Sequence, residues 1–226
     1  MDEMRLANEK SLELNLTHQL LMRYRSAFVV GTTLRAESTI GADSIIQTPY
    51  RAVFYQYKAS NPRKSVDGQR AYFRINNNYP RNDQHIRLHR LARAFGSGSF
   101  FYAFPLVVTD NYFQTNASNL VPMTIFVDVY NMPQFRVGDS HRVQVDSNGA
   151  YQIFSEVFRR GESIVGEAFI ESLKDKKIGY EVSTEEISDF FGRLVGICRD
   201  MEMGWRILKI AFFHPENPFI YSLRLG

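Results

Sequence analysis

The segment Glu37–Lys58 limits the fold of this chain more than any other stretch, since it predicts two short strands joined by a turn at Thr48-Pro49. Side chains alternate between the two faces of a strand, so the second strand, VFYQYK, presents Gln56 and Lys58 on one face. The first strand carries Asp43. An acid, an amide oxygen and an amine can therefore converge, an arrangement that suits a divalent-metal site acting on phosphodiesters.

Length and composition fit one large domain or two small ones, and we expect a single soluble domain over residues 1–226. The chain contains no run near the roughly 18 apolar residues that a membrane span needs. Its first ten residues, MDEMRLANEK, are charged and show no apolar secretory core. Cys198 is the one cysteine, which excludes an internal disulfide framework. We therefore expect a cytoplasmic location and no membrane partner.

Positive charge is concentrated around and after the strand that carries Lys58. The net charge of the whole chain is only +3, but residues 51–110 contain ten Lys and Arg against three Asp, a local excess of seven positive charges. Such a surface suits a nucleic-acid backbone, although an ordinary solvated helix face is an equal alternative. The candidate nucleic-acid-binding residues are Arg63, Lys64, Arg81, Gln84, Arg87, Arg90 and Arg93. Tyr72, Tyr79 and Tyr102 interleave with these charges, and aromatics at strand spacing are more often core residues than base-stacking platforms.

The rest of the chain predicts alternating helices and strands. Helices are expected over residues 3–25 and 84–95, and a third after the capping-box pair Ser183 and Glu186. Strands are expected in SAFVVGTTL, AYFRI, SFFYAFPLVV and VPMTIFVDV, and a hairpin in HRVQVDSNGAYQIFSE. Residues 59–69, ASNPRKSVDGQ, are rich in turn formers and predict an exposed loop. The segment GWRILKIAFF is compatible with either a strand or a helix.

A helix carrying Glu, followed by Gly-x-Asp and by a strand with Gln-x-Lys, resembles the PD-(D/E)XK nuclease superfamily. The similarity covers roughly residues 8–105. It implies an α/β fold with a restriction endonuclease-like α-β-β-β-α-β core, a mixed central sheet flanked by helices, over about residues 5–110. Residues 111–226 would then form a β-rich C-terminal extension that ends in a helix.

The resemblance also assigns roles to individual residues. Asp43 matches the aspartate of the motif, Gln56 replaces its second acid, Lys58 matches its lysine, and Glu9 or Glu13 matches the helix acid. The implied activity is metal-dependent hydrolysis of nucleic acid, with DNA as the expected substrate and RNA as the alternative. Lys58 would orient the attacking water or stabilise the pentavalent state.

The implied cofactor is Mg²⁺ or Mn²⁺. Its ligands would be Asp43, the side-chain oxygen of Gln56 and the backbone carbonyl of Tyr57, with Glu37 as a further candidate. Because Gln56 brings no charge, Glu37 or one of the two helix acids would have to supply it. Many such nucleases act as dimers, so a homodimer or a larger defence or repair complex is expected. The alternative is a catalytically inactive nuclease-like module that serves as a nucleic-acid-binding or protein-interaction subunit.

Overall fold

A computed structural model gives the fold of this chain. The structure describes residues 7–23, 28–31, 44–47, 51–76, 84–135, 140–154, 159–181, 193, 196–197, 208–214 and 217–223. In chain order the elements are α1 (Glu9–Arg23), β1 (Phe28–Gly31), β2 (Ser44–Gln47), β3 (Arg51–Tyr57), β4 (Ser60–Val66), β5 (Arg70–Asn76), α2 (Gln84–Phe95), β6 (Phe100–Pro105), α3 (Asp110–Asn116), β7 (Thr124–Asp128), β8 (Ser140–Asp146), β9 (Ala150–Ile153), β10 (Arg159–Glu162), β11 (Ile164–Val165), α4 (Gly166–Lys174), β12 (Tyr180–Glu181), β13 (Leu208–His214) and β14 (Asn217–Leu223). No helix in these ranges is both long and apolar enough to cross a membrane.

The first sheet is mixed and has the order β1-β2-β3-β6-β7-β11, with β12 also paired to β3. Strands β1, β2 and β3 form an antiparallel meander, whereas β6 runs parallel to β3 with Phe54 opposite Phe100. A parallel neighbour requires a crossover connection, which here contains β4, β5 and α2. The predicted mixed α/β architecture is therefore confirmed. Residues after 110 contribute β7, β11 and β12 to this same sheet.

The alternation predicted for β3 separates the two faces of the first sheet. Val53, Tyr55 and Tyr57 pack with Leu12, Leu16 and Leu20 of α1 and with α4. Phe54 packs on the other side, with α2 and the second sheet. Full burial of a leucine or phenylalanine side chain contributes about 1.5–3 kcal/mol, so both layers hold β3 in place.

The second sheet is antiparallel and has the order β10-β9-β8-β5-β4. Its inner face adds Phe73, Ile75, Val143 and Val145 to the core on the α2 side. The prediction of an exposed loop over residues 59–69 is wrong, because residues 60–66 form strand β4. Strand β4 lies at the edge of the sheet, where a proline and many polar residues are tolerated, so its composition resembles that of a loop.

The two long predicted helices form, and the first begins later in the chain than predicted. Helix α1 begins at Glu9, because the Asn8 side chain accepts a hydrogen bond from the backbone N–H of Lys10 at 2.8 Å and caps the first turn. Helix α2 spans residues 84–95 as predicted. It ends where Gly96 adopts a φ of +92° and its N–H donates to the Ala92 carbonyl.

The predicted strands β5, β6 and β7 and the β8–β9 hairpin are also present. The segment GWRILKIAFF, which was compatible with either a strand or a helix, contributes strand β13, and β13 pairs with β14 along its whole length. The prediction that the C-terminal extension ends in a helix is therefore wrong, since this hairpin is the last described element. Isoleucine and aromatic residues, which favour strands, are frequent in both KIAFF and PFIYSL. The helix predicted after Ser183 falls almost entirely outside the described residues.

Candidate functional site

The candidate site lies at the carboxyl end of β3, beside the parallel strand β6. Gln56 is opposite Tyr102 and Tyr57 is opposite Ala103 in the register. The backbone N–H of Lys58 donates to the Ala103 carbonyl at 3.1 Å, so the pairing continues one residue past the strand. In open α/β sheets, ligands bind outside the carboxyl ends of the strands.

Four residues singled out from the sequence are joined there by hydrogen bonds. Lys58 Nζ donates to Gln84 Oε1 at 2.7 Å, and Gln84 Nε2 donates to Gln56 Oε1 at 2.7 Å. Gln56 Nε2 in turn donates to the backbone carbonyl of Tyr57 at 3.2 Å. We call these four residues the amide relay. It connects the predicted catalytic lysine to both of the described oxygens that were predicted to bind metal.

Local sequence explains how the relay is assembled. The strand period turns Gln56 toward α2, and Gln84 is the first residue of that helix. Gln56 is only 2% exposed. A buried amide needs partners for both its oxygen and its nitrogen, and the relay supplies one of each.

His85 fixes the start of α2 and so fixes Gln84. Its Nε2–H donates to the Pro133 carbonyl at 3.0 Å, and its Nδ1 accepts from the Tyr102 hydroxyl at 3.1 Å. The ring also stacks on Phe135, with 4.0 Å between ring centroids. Burial lowers the pKa of His85 to about 3, so the ring is neutral at physiological pH. One donor and one acceptor nitrogen match that neutral form.

The predicted helix acids lie in the α1 layer. Glu13 is nearly buried, and its Oε2 accepts from Lys10 Nζ at 2.8 Å. The Tyr57 ring occupies the same layer, with 3.0 Å between its hydroxyl and that of Thr17. Burial raises the pKa of Tyr57 well above its ordinary value, and the charge of Glu13 adds to this effect. Glu13 therefore lies on the face of the sheet opposite Gln56, and Glu9 is exposed at the start of α1.

Several predicted residues fall outside this geometry. Asp43, Glu37 and Arg81 lie outside the described residues, as does the side chain of Arg63. Within the described ranges, no group of three or more His, Cys, Asp or Glu residues could hold a metal ion.

The described oxygens of the amide relay fit part of a magnesium site. The Gln56 amide oxygen and the Tyr57 carbonyl are hard, neutral donors of the kind that Mg²⁺ accepts. They supply no negative charge. Carboxylate ligands are therefore needed in addition. Asp43 is predicted to be one of them, and Glu37 or a helix acid was predicted to bring the charge that Gln56 lacks.

The exposed basic residues of the predicted nucleic-acid-binding set lie on two different surfaces. Arg90 and Arg93 are exposed on α2, and the Arg93 guanidinium lies 4.6 Å from the centre of the Tyr130 ring. His89, on the same helix, is half-buried, its Nε2–H donates to the Met132 carbonyl, and burial lowers its pKa. Lys64 is exposed on β4, in the second sheet.

The second sheet also exposes residues that were not singled out from the sequence. Arg74, Arg142 and Phe154 lie beside Lys64 around one surface concavity. Alternation in AYFRIN and SHRVQVD predicts that the two arginines face outward. That the two arginines lie next to each other follows from the register of β5 and β8, and this register cannot be predicted from the alternation within each strand.

Comparisons with protein-family models, with curated proteins and with solved structures found no match to this chain. Function is therefore inferred from the chemistry of the site itself.

Proposed function

We propose that this chain is a metal-dependent nuclease that hydrolyses phosphodiester bonds of DNA and is built on a restriction endonuclease-like core. The amide relay is the observation that carries the proposal, because it gathers Lys58, Gln84 and Gln56 at the carboxyl end of β3. The order of elements gives further support. Helix α1, the antiparallel strands β1–β3, helix α2 and the parallel strand β6 follow one another as an α-β-β-β-α-β core requires, with β4 and β5 inserted.

In this proposal Lys58 stabilises the phosphate or orients the attacking water. Gln84 Oε1 holds the ammonium group in place, so little reorganisation is needed when charge develops on the phosphate. Gln56 Oε1, the Tyr57 carbonyl and Asp43 would hold Mg²⁺ or Mn²⁺, which would lower the pKa of a bound water and neutralise charge on the phosphate. The exposed arginines of α2 would contact the backbone. Since Cys198 is the one cysteine, we place the activity in the cytoplasm.

A cleavage assay tests the proposal directly. Plasmid, linear duplex and single-stranded DNA are incubated with Mg²⁺ or Mn²⁺, using the wild type, Asp43→Ala, Lys58→Ala and a control, Lys174→Ala, on the exposed face of α4. Removing one group that stabilises a transition state typically lowers the rate about 10²–10³-fold. We expect losses of this size in the first two variants and none in the control. Cleavage that persists in both Asp43→Ala and Lys58→Ala would refute the mechanism.

A metal-binding assay gives a second readout that does not need turnover. A ligand that binds only the folded state stabilises it by mass action, by about 2.7 kcal/mol at 100 times its dissociation constant. We therefore expect Mg²⁺ or Mn²⁺ to raise the Tm of the wild type more than that of Asp43→Ala. Equal shifts would exclude Asp43 as a ligand.

One observation favours the second candidate, an inactive nuclease-like module that binds nucleic acid or a protein. The residue at position 56 is a neutral amide, nearly buried, whose oxygen already accepts a hydrogen bond from Gln84. This candidate predicts nucleic-acid binding without cleavage on every substrate, and no metal-dependent change in Tm.

A further inference from the structure

The second sheet carries a concavity that is separate from the amide relay. Its volume is about 630 Å³, within the range of about 300–1,000 Å³ that is usual for ligand sites. The lining residues are Asn61, Lys64, Tyr72, Phe73, Arg74, Arg142 and Phe154. We call this concavity the outer groove. Three of its described lining residues are basic and none is acidic.

The basic residues of the outer groove are placed where they repel one another. Arg74 and Arg142 are directly opposite in the β5–β8 register, and both are exposed. Like charges in that relation destabilise an antiparallel pair. Among the residues that the structure describes, neither guanidinium takes part in an ion pair. An anionic ligand would relieve this repulsion.

Lys64 reaches the same groove from an irregular part of β4. The β4–β5 register shifts between Asn61 and Val66, and Lys64 lies inside that bulge with a φ of +67°. Residues other than glycine rarely adopt this left-handed conformation, because Cβ crowds the backbone. Bulges redirect side chains, and strained residues cluster at functional sites. The bulge thus directs the third positive charge into the groove, at the cost of an unfavourable backbone conformation.

The outer groove also presents an aromatic surface to solvent. Phe154 is 44% exposed, and its ring stacks on Tyr72 with 6.0 Å between centroids and 25° between planes. Its backbone N–H donates to the Arg142 carbonyl at 3.0 Å, which holds the ring next to that arginine. A supported, exposed ring beside cations is the arrangement with which proteins bind single-stranded nucleic acid, through base stacking and phosphate contacts.

We propose that the outer groove binds single-stranded nucleic acid, with phosphates on Lys64, Arg74 and Arg142 and a base stacked on Phe154. A single strand fits better than a duplex, because bases that are paired and stacked on one another do not offer a free face to a protein ring. This surface lies on the second sheet and requires no cleavage. The inference therefore goes beyond the proposed nuclease activity and does not depend on it.

Binding of a fluorescently labelled oligothymidylate, followed by anisotropy in EDTA, tests the inference without turnover. Losing one base stack weakens binding by roughly five- to 150-fold, so we expect a loss in this range for Phe154→Ala and Phe154→Leu and retention in Phe154→Trp. Arg142→Ala should weaken binding and reduce the slope of log affinity against log salt by about 0.7 for each phosphate that the variant no longer neutralises. Lys174→Ala, which removes a charge from α4, is the matched control and should bind as the wild type does.

The possible outcomes separate the two proposals. Lys58→Ala should lose cleavage and keep its affinity for the oligothymidylate, whereas Phe154→Ala should lose affinity in EDTA. Far-UV circular dichroism and Tm establish that each variant is folded. The inference is overturned if the wild type does not bind at about 100 µM, the weak limit of non-specific binding. It is also overturned if Phe154→Ala and Arg142→Ala bind as the wild type does, or if a duplex or an acidic peptide binds equally well and is insensitive to Phe154→Ala.

Discussion

Substitution of Gln56 by glutamate is the change that tests the amide relay most directly. Under the proposed nuclease function, the variant places an acid at the position where the PD-(D/E)XK motif has its second acid. Gln84 Nε2 can donate to the new carboxylate as it does to the amide oxygen at 2.7 Å. The second hydrogen bond cannot be kept, because a carboxylate has no hydrogen to donate to the Tyr57 carbonyl, which lies 3.2 Å from the present amide nitrogen.

The expected loss of stability follows from the position of the amide nitrogen next to the Tyr57 carbonyl. Losing the buried hydrogen bond and placing two oxygens together at a position that is 2% exposed should destabilise the metal-free protein by about 1–3 kcal/mol. For a chain of this length, each kcal/mol lowers Tm by about 2–4 °C. Burial disfavours the charged form and raises the pKa of the new carboxyl group above its unfolded value of about 4.3. The destabilisation should therefore be absent below that pH and grow as the pH rises through the folded pKa.

A metal ion should reverse the effect if the relay forms part of a metal site. Thermal unfolding of Gln56→Glu is compared with that of the wild type and of Gln56→Met, in EDTA and with Mg²⁺ or Mn²⁺. Methionine has a similar length but provides neither charge nor a hard oxygen. We expect the metal to raise Tm most in the glutamate variant and least in the methionine variant. A metal-free Tm equal to that of the wild type, or equal metal shifts in all three proteins, would refute this reasoning.

Two further predictions concern the scaffold. The pKa of His85 is about 3 in the folded state against about 6.5 when exposed, so acidification from pH 6.5 toward pH 3 favours the unfolded state. We therefore expect His85→Gln to lose less stability over this pH range than the wild type, as measured by chemical denaturation. Gly166→Ala would place a Cβ 1.9 Å from the Val121 carbonyl oxygen, so we expect its free energy of unfolding to fall by at least 3 kcal/mol. In Gly96→Ala the new Cβ meets no atom within 4 Å, so its free energy of unfolding should fall by only about 1–2 kcal/mol, because of the positive φ. Urea denaturation measures both values.

The features that could be predicted from the sequence are those set by local periodicity. The alternation in VFYQYK correctly separated Gln56 from Tyr57, and the helical pattern located α2 and with it Gln84. Strand β4 was missed because an edge strand needs neither alternation nor apolar residues. The pairing of Arg74 with Arg142 depends on residues about 70 positions apart, and no local pattern reports such a register.

The chemistry of the amide relay explains why a glutamine can occupy position 56. In the folded chain this side chain must both accept a hydrogen bond from Gln84 and donate one to the Tyr57 carbonyl. A neutral amide does both, whereas a carboxylate only accepts and would leave two oxygens in contact unless a cation lay between them. Gln56 therefore gives a site that is folded and satisfied before metal binds. Under the proposed nuclease function, Asp43 is a charged ligand of the metal and Gln56 is a neutral one. Asp43→Ala is therefore the more damaging change for metal affinity, and Gln56→Glu is the more damaging one for metal-free stability.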